Sequence, residues 1–166
     1  MKMTKEIVKE NEIVKTVKKA GGKNVLKIEI PRPRRIFILI NKKIFEKTIR
    51  YLTKKMGFSH LSTITGVDVG EEIEVIYHLN CAGTIELSLK VRVPKDKPAL
   101  PTITNLVPGA TLYEREVHDL LGVTFEGHPD LSPIILPEGW APDVYPLRKK
   151  WTIEKIQEKV TKGGKR

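Results

Sequence analysis

Four side chains that could do chemistry stand close together in the stretch HDLLGVTFEGHPDL, residues 118–131. They are His118, Asp119, His128 and Asp130. Imidazole and carboxylate groups bind zinc and harder metal ions. The same groups serve as general acids and bases in catalysis. The sequence therefore raises two chemical hypotheses for this stretch, a metal site and an acid–base pair.

Neither hypothesis is favoured by the spacing. His118 and Asp119 are adjacent on a predicted helix, so their side chains point about 100° apart and would not share one ion. The pattern matches no known zinc motif, and the chain has no Gly-rich phosphate loop, nucleophile elbow or nucleotide-binding fingerprint. Its single cysteine, Cys81, excludes an intramolecular disulfide and a cysteine cluster within this chain, and we interpret it as a small turn residue.

A third hypothesis makes the stretch structural. Thr111-Leu-Tyr-Glu114 predicts a capping box that opens a helix, and Gly122 predicts its end. The i,i+4 pairs Glu114–His118 and Arg115–Asp119 would brace one face of this helix by about 0.2–0.5 kcal/mol each. The opposite face is apolar, with Tyr113, Val117, Leu120 and Leu121. His128-Pro129-Asp130 would then be an ordinary turn.

The periodicity of the remaining chain predicts the elements around this helix. Helices are expected over residues 4–20, from a cap at Asn41 to Gly57, and over 152–161. The segments KNVLKIEI and RIFILI predict a hairpin with a Pro-rich turn. HLSTITGVDV, EEIEVIYHL and TIELSLKVRV predict a meander with one hydrated face and turns at Gly70-Glu71 and Ala82-Gly83. The predicted class is α+β, with helices packed on one face of a mostly antiparallel sheet.

Residues 123–151 show almost no period and predict an irregular extension. We therefore divide the chain into a core, residues 1–122, and an extended arm with a C-terminal helix and tail, residues 123–166. Such long irregular segments are usually functional or linkers, and apolar residues in them need a partner or a fold-back. The apolar residues are Phe125, Ile134, Ile135, Leu136, Trp140, Tyr145 and Leu147. We expect this segment to be a docking arm.

Charge is distributed unevenly along the chain, whose net charge is +10. Residues 1–56 carry 17 Lys/Arg and 5 Asp/Glu, residues 57–143 carry 5 and 13, and residues 144–166 carry 8 and 2. This asymmetry favours a docking surface. The alternative is a nucleic-acid-binding domain that uses the RPRR segment, residues 32–35. Against it, Tyr77 is the only aromatic residue in the predicted meander. The longest apolar run, residues 36–40, is too short to span a bilayer, and a cytoplasmic location is expected.

Three consecutive motifs carry a family resemblance. YEREVHDLLGVTFEGHPDL, IILPEGW and YPLRKKW, within residues 113–151, resemble the C (30 kDa) subunit of respiratory complex I. They also resemble its equivalents in membrane-bound [NiFe] hydrogenases and related archaeal ferredoxin-dependent complexes. The hallmark residues are Glu114, Arg115, Glu116, Asp119, Leu120, Leu121 and His128. Two positions depart from the usual pattern: Ser132 stands where Arg is common, and Lys150 where an acidic residue is common.

The resemblance implies a scaffold with no catalytic site and no cofactor in this chain. It implies two partners, a large hydrogenase-like subunit and a small Fe–S subunit, with Fe–S clusters and possible NiFe in the partners. It further implies an ion-translocating complex with ferredoxin as donor, a peripheral place on the cytoplasmic membrane face, and no nucleic-acid partner. An archaeal, thermophilic source is expected for the hydrogenase-like or sulfur-reducing form of the complex. The terminal acceptor, whether protons, quinone or a sulfur compound, would be decided on other subunits.

The resemblance also assigns roles to particular residues. Glu114, Arg115, Glu116 and Asp119 would bond neighbouring loops from one helix, and His128, Pro129 and Asp130 would shape the following turn. Trp140 and the segment Pro146, Leu147, Arg148 and Lys149 would belong to an arm that lies on a partner. We expect Arg148 to meet a partner carboxylate, because arginine forms bidentate pairs well.

Overall fold

A computed structural model describes residues 10–81 and 85–163 of the chain, with side chains as far as residue 160. Helices and strands mix along this part of the chain as the α+β class predicts. In chain order they are α1 (Glu10–Gly21), β1 (Val25–Arg32), β2 (Arg35–Ile40), α2 (Phe45–Lys55), β3 (His60–Asp68), β4 (Glu72–Cys81), β5 (Ile85–Pro94), β6 (Ala99–Pro101), α3 (Ala110–Leu121), β7 (Thr124–Glu126) and α4 (Ile153–Gly163).

A five-stranded sheet in the order β1-β2-β5-β4-β3 forms the centre of the fold. The predicted hairpin is confirmed as the antiparallel pair β1–β2, and the predicted meander as the antiparallel strands β3, β4 and β5. The two units join where β2 and β5 run parallel, from Arg35↔Glu86 to Ile40↔Val91. Parallel neighbours need a long crossover, and here it runs through α2, β3 and β4. Local periodicity had not predicted this pairing.

One face of the sheet is covered by helices. Alternate residues on β2 show this, since Ile36, Ile38 and Ile40 are buried while Phe37 and Leu39 are only partly buried. Helices α1, α2 and α3 contribute side chains to the same buried cluster as the inward residues of the sheet. The members of that cluster from the helices are Ile13, Val17, Phe45, Ile49, Leu52, Ala110, Val117 and Leu121. The predicted arrangement, with helices on one face, is therefore confirmed.

The opposite face of the sheet is polar and carries ion pairs between strands. Glu74 lies 3.2 Å from Lys90 Nζ and 2.9 Å from Arg92 Nε. Arg35 pairs with Glu86. Oppositely charged residues on adjacent strands stabilise a sheet modestly, so these pairs account for charged residues on a face without helices.

Helix boundaries follow the expected signals with small shifts. The Asn41 side chain accepts a hydrogen bond from the Lys43 N–H, as predicted, but it caps a 3-10 turn over 42–44 and α2 begins at Phe45. Gly57, with φ of 76°, follows α2 as expected. The final helix begins at Ile153 rather than Thr152. Ile7 and the predicted turn at Ala82-Gly83 lie outside the described residues.

A second, two-stranded sheet links the core to the arm. β6 and β7 run parallel, with Leu100 opposite Phe125, and α3 connects them. Phe125 is buried, so the irregular part of the arm begins after β7. The division into a core and an arm stays a prediction.

Helix α3 approaches β3 closely at Gly66. A Cβ atom at this position would lie 2.2 Å from Leu121 Cδ1 and 3.2 Å from Val117 Cγ1. Since Leu121 and Val117 are themselves buried, they have little room to move. The missing side chain of Gly66 therefore sets how closely α3 can pack on the sheet.

We expect Gly66→Ala to destabilise the chain by about 1–3 kcal/mol, the usual cost of overpacking a core. The matched control is Gly109→Ala, because nothing lies within 4 Å of a Cβ there and its φ of −61° suits alanine. The control should change the free energy of unfolding by less than about 0.5 kcal/mol. Urea denaturation of both variants measures the difference, and equal stability of the two would contradict the close approach.

Candidate docking site

Asp119 holds the arm by accepting three successive backbone N–H groups. Its Oδ2 lies 3.1 Å from the amide nitrogen of Ile134, and 2.8 Å from those of Ile135 and Leu136. The side chain projects from α3 and is buried. Consecutive N–H groups around an oxyanion form a nest, in which each charge-assisted bond is stronger than a neutral one. The predicted i,i+4 pair with Arg115 is wrong, because Asp119 faces the arm instead.

Arg115 binds the same arm one turn earlier on α3. Its Nε donates to the Ser132 carbonyl at 3.0 Å, and its Nη2 donates to Ser132 Oγ at 2.9 Å and to the Pro133 carbonyl at 3.0 Å. Asp130 accepts the Ser132 N–H and hydroxyl, and these bonds lower the pKa of the Asp130 carboxyl. Ser132, one of the two departures from the pattern of the resemblance, therefore acts as a hydrogen-bond partner of Arg115.

Glu114 is a fully buried carboxyl on α3. It accepts hydrogen bonds from the Thr102 hydroxyl and from the Ile103 N–H, the latter at 2.9 Å. Burial raises the pKa of Glu114 from 4.5 to about 7, although these two hydrogen bonds oppose the shift. The predicted capping box is wrong, because Glu114 reaches the loop after β6 while the Thr111 hydroxyl donates to the Pro108 carbonyl at 2.8 Å. The predicted pair with His118 is wrong for the same reason.

His128 ties the turn after β7 to the first turn of α3. Its Nδ1 accepts the Asp130 N–H at 3.1 Å, which places the ring proton on Nε2, 3.1 Å from the Thr111 carbonyl. The side chain is buried, with Nε2 3.9 Å from Glu114. Pro129 lies exposed between His128 and Asp130. His128 and Asp130 thus form hydrogen bonds within this turn, and the turn-shaping role that the resemblance assigned to the three residues stays a prediction.

The four residues of the opening metal hypothesis bind separate parts of the chain. His118 Nδ1 lies 2.9 Å from the Val123 carbonyl, while Asp119, His128 and Asp130 bind the arm and turn amides described above. Within residues 10–81 and 85–163, no group of three His, Cys, Asp or Glu side chains is placed to hold a metal ion. Cys81 lies at the end of β4 rather than in a turn, and its thiol is 3.5 Å from the Met56 carbonyl.

Arg148 points into the chain. It is 8% exposed, and its Nε donates to the Leu121 carbonyl at 2.7 Å while Nη1 lies 3.3 Å from the Lys95 carbonyl. Leu121 is the last residue of α3, so the guanidinium satisfies one of the carbonyls that a helix end leaves without an intrahelical donor. Arg148 also stacks on the Tyr145 ring at 4.5 Å. The expectation that it pairs with a partner carboxylate does not fit this internal position.

Asp68 is a second buried carboxylate that holds the arm, and the sequence did not reveal it. It lies 2.7 Å from Lys95 Nζ and accepts the Gly70 N–H at 3.0 Å and the Lys149 N–H at 2.9 Å. Burial would raise the pKa of Asp68, but the Lys95 ion pair and the two N–H groups outweigh it and lower the pKa to about 2. The spacing of Asp68 and Gly70 indicates a turn. No short-range sequence pattern predicts the bond to Lys149, which lies 81 residues along the chain.

With its backbone held in this way, the arm presents apolar side chains at the surface. Ile135 and Leu147 are each 55% exposed, and Ile134 is 38% exposed. The other predicted anchors fold back: Phe125 is buried, and Trp140 donates its Nε1–H to the Val144 carbonyl at 2.8 Å. Of the remaining assigned residues, Glu116 is exposed and Pro146 is half-buried. This arrangement suits binding by apolar contact.

We expect Asp119→Asn to loosen the arm. The substitution removes the negative charge that three N–H groups share, and hydrogen bonds to charged groups are worth about 1.5–3 kcal/mol each. Hydrogen exchange of the amides of residues 134–136 should accelerate by about tenfold or more. Glu116→Gln, an equal charge change on the exposed side of α3, should leave these rates unchanged. If the amides of residues 134–136 exchanged as slowly in Asp119→Asn as in the wild type, Asp119 would not hold the arm.

Glu114 should make the stability of the chain fall as pH rises from about 4.5 to about 7. The folded state holds a proton over this range that the unfolded state has released, so the difference amounts to about 3 kcal/mol at and above pH 7. Glu114→Gln stays neutral and should lack this slope. Urea unfolding of both proteins at several pH values isolates the effect, because other titrating groups cancel. If the free energies of unfolding of the two proteins changed in parallel with pH, titration of Glu114 would not affect stability.

Comparison with known proteins shows a family that covers most of the chain. The family described as "Respiratory-chain NADH dehydrogenase, 30 Kd subunit" matches residues 38–157. The C subunit of the NADH-quinone oxidoreductase of Moorella thermoacetica is 40% identical over 116 residues, which are 68% of this chain and 73% of the relative. The C subunit of the F420H2 dehydrogenase of Methanosarcina mazei is 34% identical over 125 residues, or 74% and 78% of the two chains.

A solved structure extends the likeness to almost the whole chain. A chain from the membrane-bound sulfane sulfur reductase, described as an archaeal respiratory membrane complex, superposes with a TM-score of 0.76 and 32% identity. The match covers 92% of this chain and 91% of that one. The described helices of the present chain include none that is long and apolar enough to cross a membrane. The family match, the two relatives and the shared fold together show that this chain belongs to the 30 kDa (C) subunit family of respiratory-chain NADH dehydrogenases.

Proposed function

We propose that the chain is a non-catalytic scaffold in the peripheral arm of a complex I-related membrane oxidoreductase. In this role it links a large hydrogenase-like subunit to a small Fe–S subunit, which would hold the cofactors. The observation that carries the proposal is the Asp119 nest. A buried carboxylate holds an irregular segment in one conformation, while Ile135 beside it stays exposed.

The use of the acidic side chains supports a structural role. Asp68, Glu114 and Asp119 are all buried, and each accepts hydrogen bonds from backbone N–H groups of another segment. A catalytic acid or base must reach a substrate, whereas these carboxylates are occupied within the chain. Asp119 and Asp68 hold the arm on α3 and on the sheet, while Glu114 holds the loop after β6.

The names of the relatives support a role that is independent of the redox couple. They comprise an NADH-quinone oxidoreductase, an F420H2 dehydrogenase and a sulfane sulfur reductase. These names differ in their electron donors or acceptors, while the fold is shared. A scaffold at the cytoplasmic membrane face would serve each of them. For this chain we propose ferredoxin as donor to the complex, a hydrogenase-like or sulfur-reducing acceptor site on the partners, and coupled ion translocation.

A nucleic-acid-binding role is not favoured. In the RPRR segment, Arg35 forms an ion pair with Glu86 on the neighbouring strand. Tyr77, the one aromatic residue of the meander, is fully buried and cannot stack on a base.

Substitution of Ile135 and Leu147, two exposed apolar residues of the arm, tests the scaffold role. We expect Ile135→Asp with Leu147→Asp to reduce recovery of the partner subunits at least about tenfold, because charges would be buried at an apolar contact. Tagged chain purified from detergent-solubilised membranes on a sizing column, with iron assayed in the peak, measures the association. Iron co-elution would be retained by the wild type and lost by the double variant.

Leu26→Asp is the matched control, since Leu26 is 57% exposed but lies on β1, away from the arm. This control should co-elute with iron as the wild type does. If the wild-type chain elutes alone or with nucleic acid, the scaffold role is wrong. If the double variant keeps its iron peak as the wild type does, the partner contact lies elsewhere than Ile135 and Leu147.

A further inference from the structure

A second surface of the chain has the form of a binding groove. It lies between α1 and α2, encloses about 340 Å³ and is lined by residues of the N-terminal third of the chain. Val17 and Ala20 line it from α1, and Ile44, Thr48 and Tyr51 line it from the α2 side. Tyr51 is 38% exposed although it is a large aromatic residue. The groove falls in the range of volumes that proteins use to hold ligands and apolar side chains.

Cations form the rim of this apolar groove. Lys47, Arg50, Lys54 and Lys55 also line it, all from α2. Arg50 pairs with Glu46 at 2.9 Å, whereas no ion pair within the described ranges involves the three lysines. Among the residues that the structure describes, no carboxylate lines the groove. An occupant with apolar side chains and negative charge would therefore complement it.

The spacing of the cations decides between two kinds of anionic occupant. Lys47, Arg50 and Lys54 stand at i, i+3 and i+7, so they share one side of α2 and extend over about 10 Å. A lipid or fatty acid carries its negative charge at one end and would need cations at one mouth of the groove. An amphipathic helix carries carboxylates along its length beside an apolar stripe, which matches cations placed along the groove.

We propose that the groove between α1 and α2 binds an acidic amphipathic helix of a partner protein. The apolar stripe of that helix packs on Ala20, Thr48 and Tyr51. Its carboxylates face Lys47, Arg50 and Lys54. The groove and the arm lie towards opposite edges of the sheet, since α1 contacts β1 while α3 contacts β3. The chain can therefore bind this partner while its arm stays in place.

Titration of the full chain with a labelled helical peptide tests the proposal. The probe is about 18 residues long, long enough to form a helix, with leucines at i, i+3, i+4 and i+7 and glutamates on both flanks. A second probe replaces every glutamate by lysine. Fluorescence anisotropy gives the dissociation constant at low and high salt. The competitor is a vesicle of neutral lipid containing phosphatidylserine.

Two pairs of charge reversals distinguish binding in the groove from diffuse attraction to a basic surface. Lys47→Glu with Lys54→Glu changes the rim and should weaken binding of the acidic probe at least about tenfold. Lys18→Glu with Lys19→Glu makes the same change of charge on α1, outside the groove, and should stay within about twofold. Tyr51→Ala, at an exposed position, should also weaken binding several-fold by removing part of the apolar contact.

Three results would overturn the proposal. Equal weakening by the two pairs of reversals would mean diffuse attraction to a basic surface. Equally tight binding of the lysine probe would mean that charge is not recognised. Binding to the vesicles that depends on Lys47 and Lys54, without binding of the acidic probe, would assign the groove to a lipid surface. Tight, salt-sensitive binding of the acidic probe alone, lost with the rim and the Tyr51 substitutions, is the result that we expect.

Discussion

Burial of negative charge beneath the arm is the constraint on which this structure depends. A carboxylate without solvent is costly unless its oxygens accept enough hydrogen bonds. Asp119 satisfies this requirement with three backbone N–H groups of the arm, and Asp68 with an N–H group of the arm and the ammonium of Lys95. The same bonds give the irregular segment the backbone partners that a helix or sheet would otherwise supply. The arm and the carboxylates therefore stabilise each other.

Two arginine side chains also join the arm to α3, as hydrogen-bond donors to backbone carbonyls. Arg115 donates to carbonyls of the arm, and Arg148, which belongs to the arm, donates to the last carbonyl of α3. Because the backbone is satisfied internally, side chains such as Ile135 and Leu147 remain at the surface. A segment that is ordered before it binds loses less conformational entropy on binding. In the scaffold role that we propose, this order of the arm is the physical basis for binding a neighbouring subunit.

Charge also divides the molecule into two surfaces of different character. The three carboxylates described above act from buried positions near α3 and the arm, whereas exposed lysines surround the groove on α2. Buried charges are weakly screened by salt, while exposed ones are strongly screened. Contacts of the arm should therefore depend on shape and apolar area, and those of the groove on ionic strength.

The local elements and the family could be predicted from the order of the amino acids. Alternation and helical periods predicted the hairpin, the meander, the helices and the hydrated face, because each depends on neighbours within a few residues. The motifs from Tyr113 to Trp151 were sufficient to indicate the family. The partners of the charged residues, in contrast, became known only from the folded chain. Glu114 fits a capping box and Arg115 an i,i+4 pair with Asp119, yet all three bind segments distant along the chain. A charged side chain binds the groups that folding buries beside it, and short-range spacing does not specify those groups.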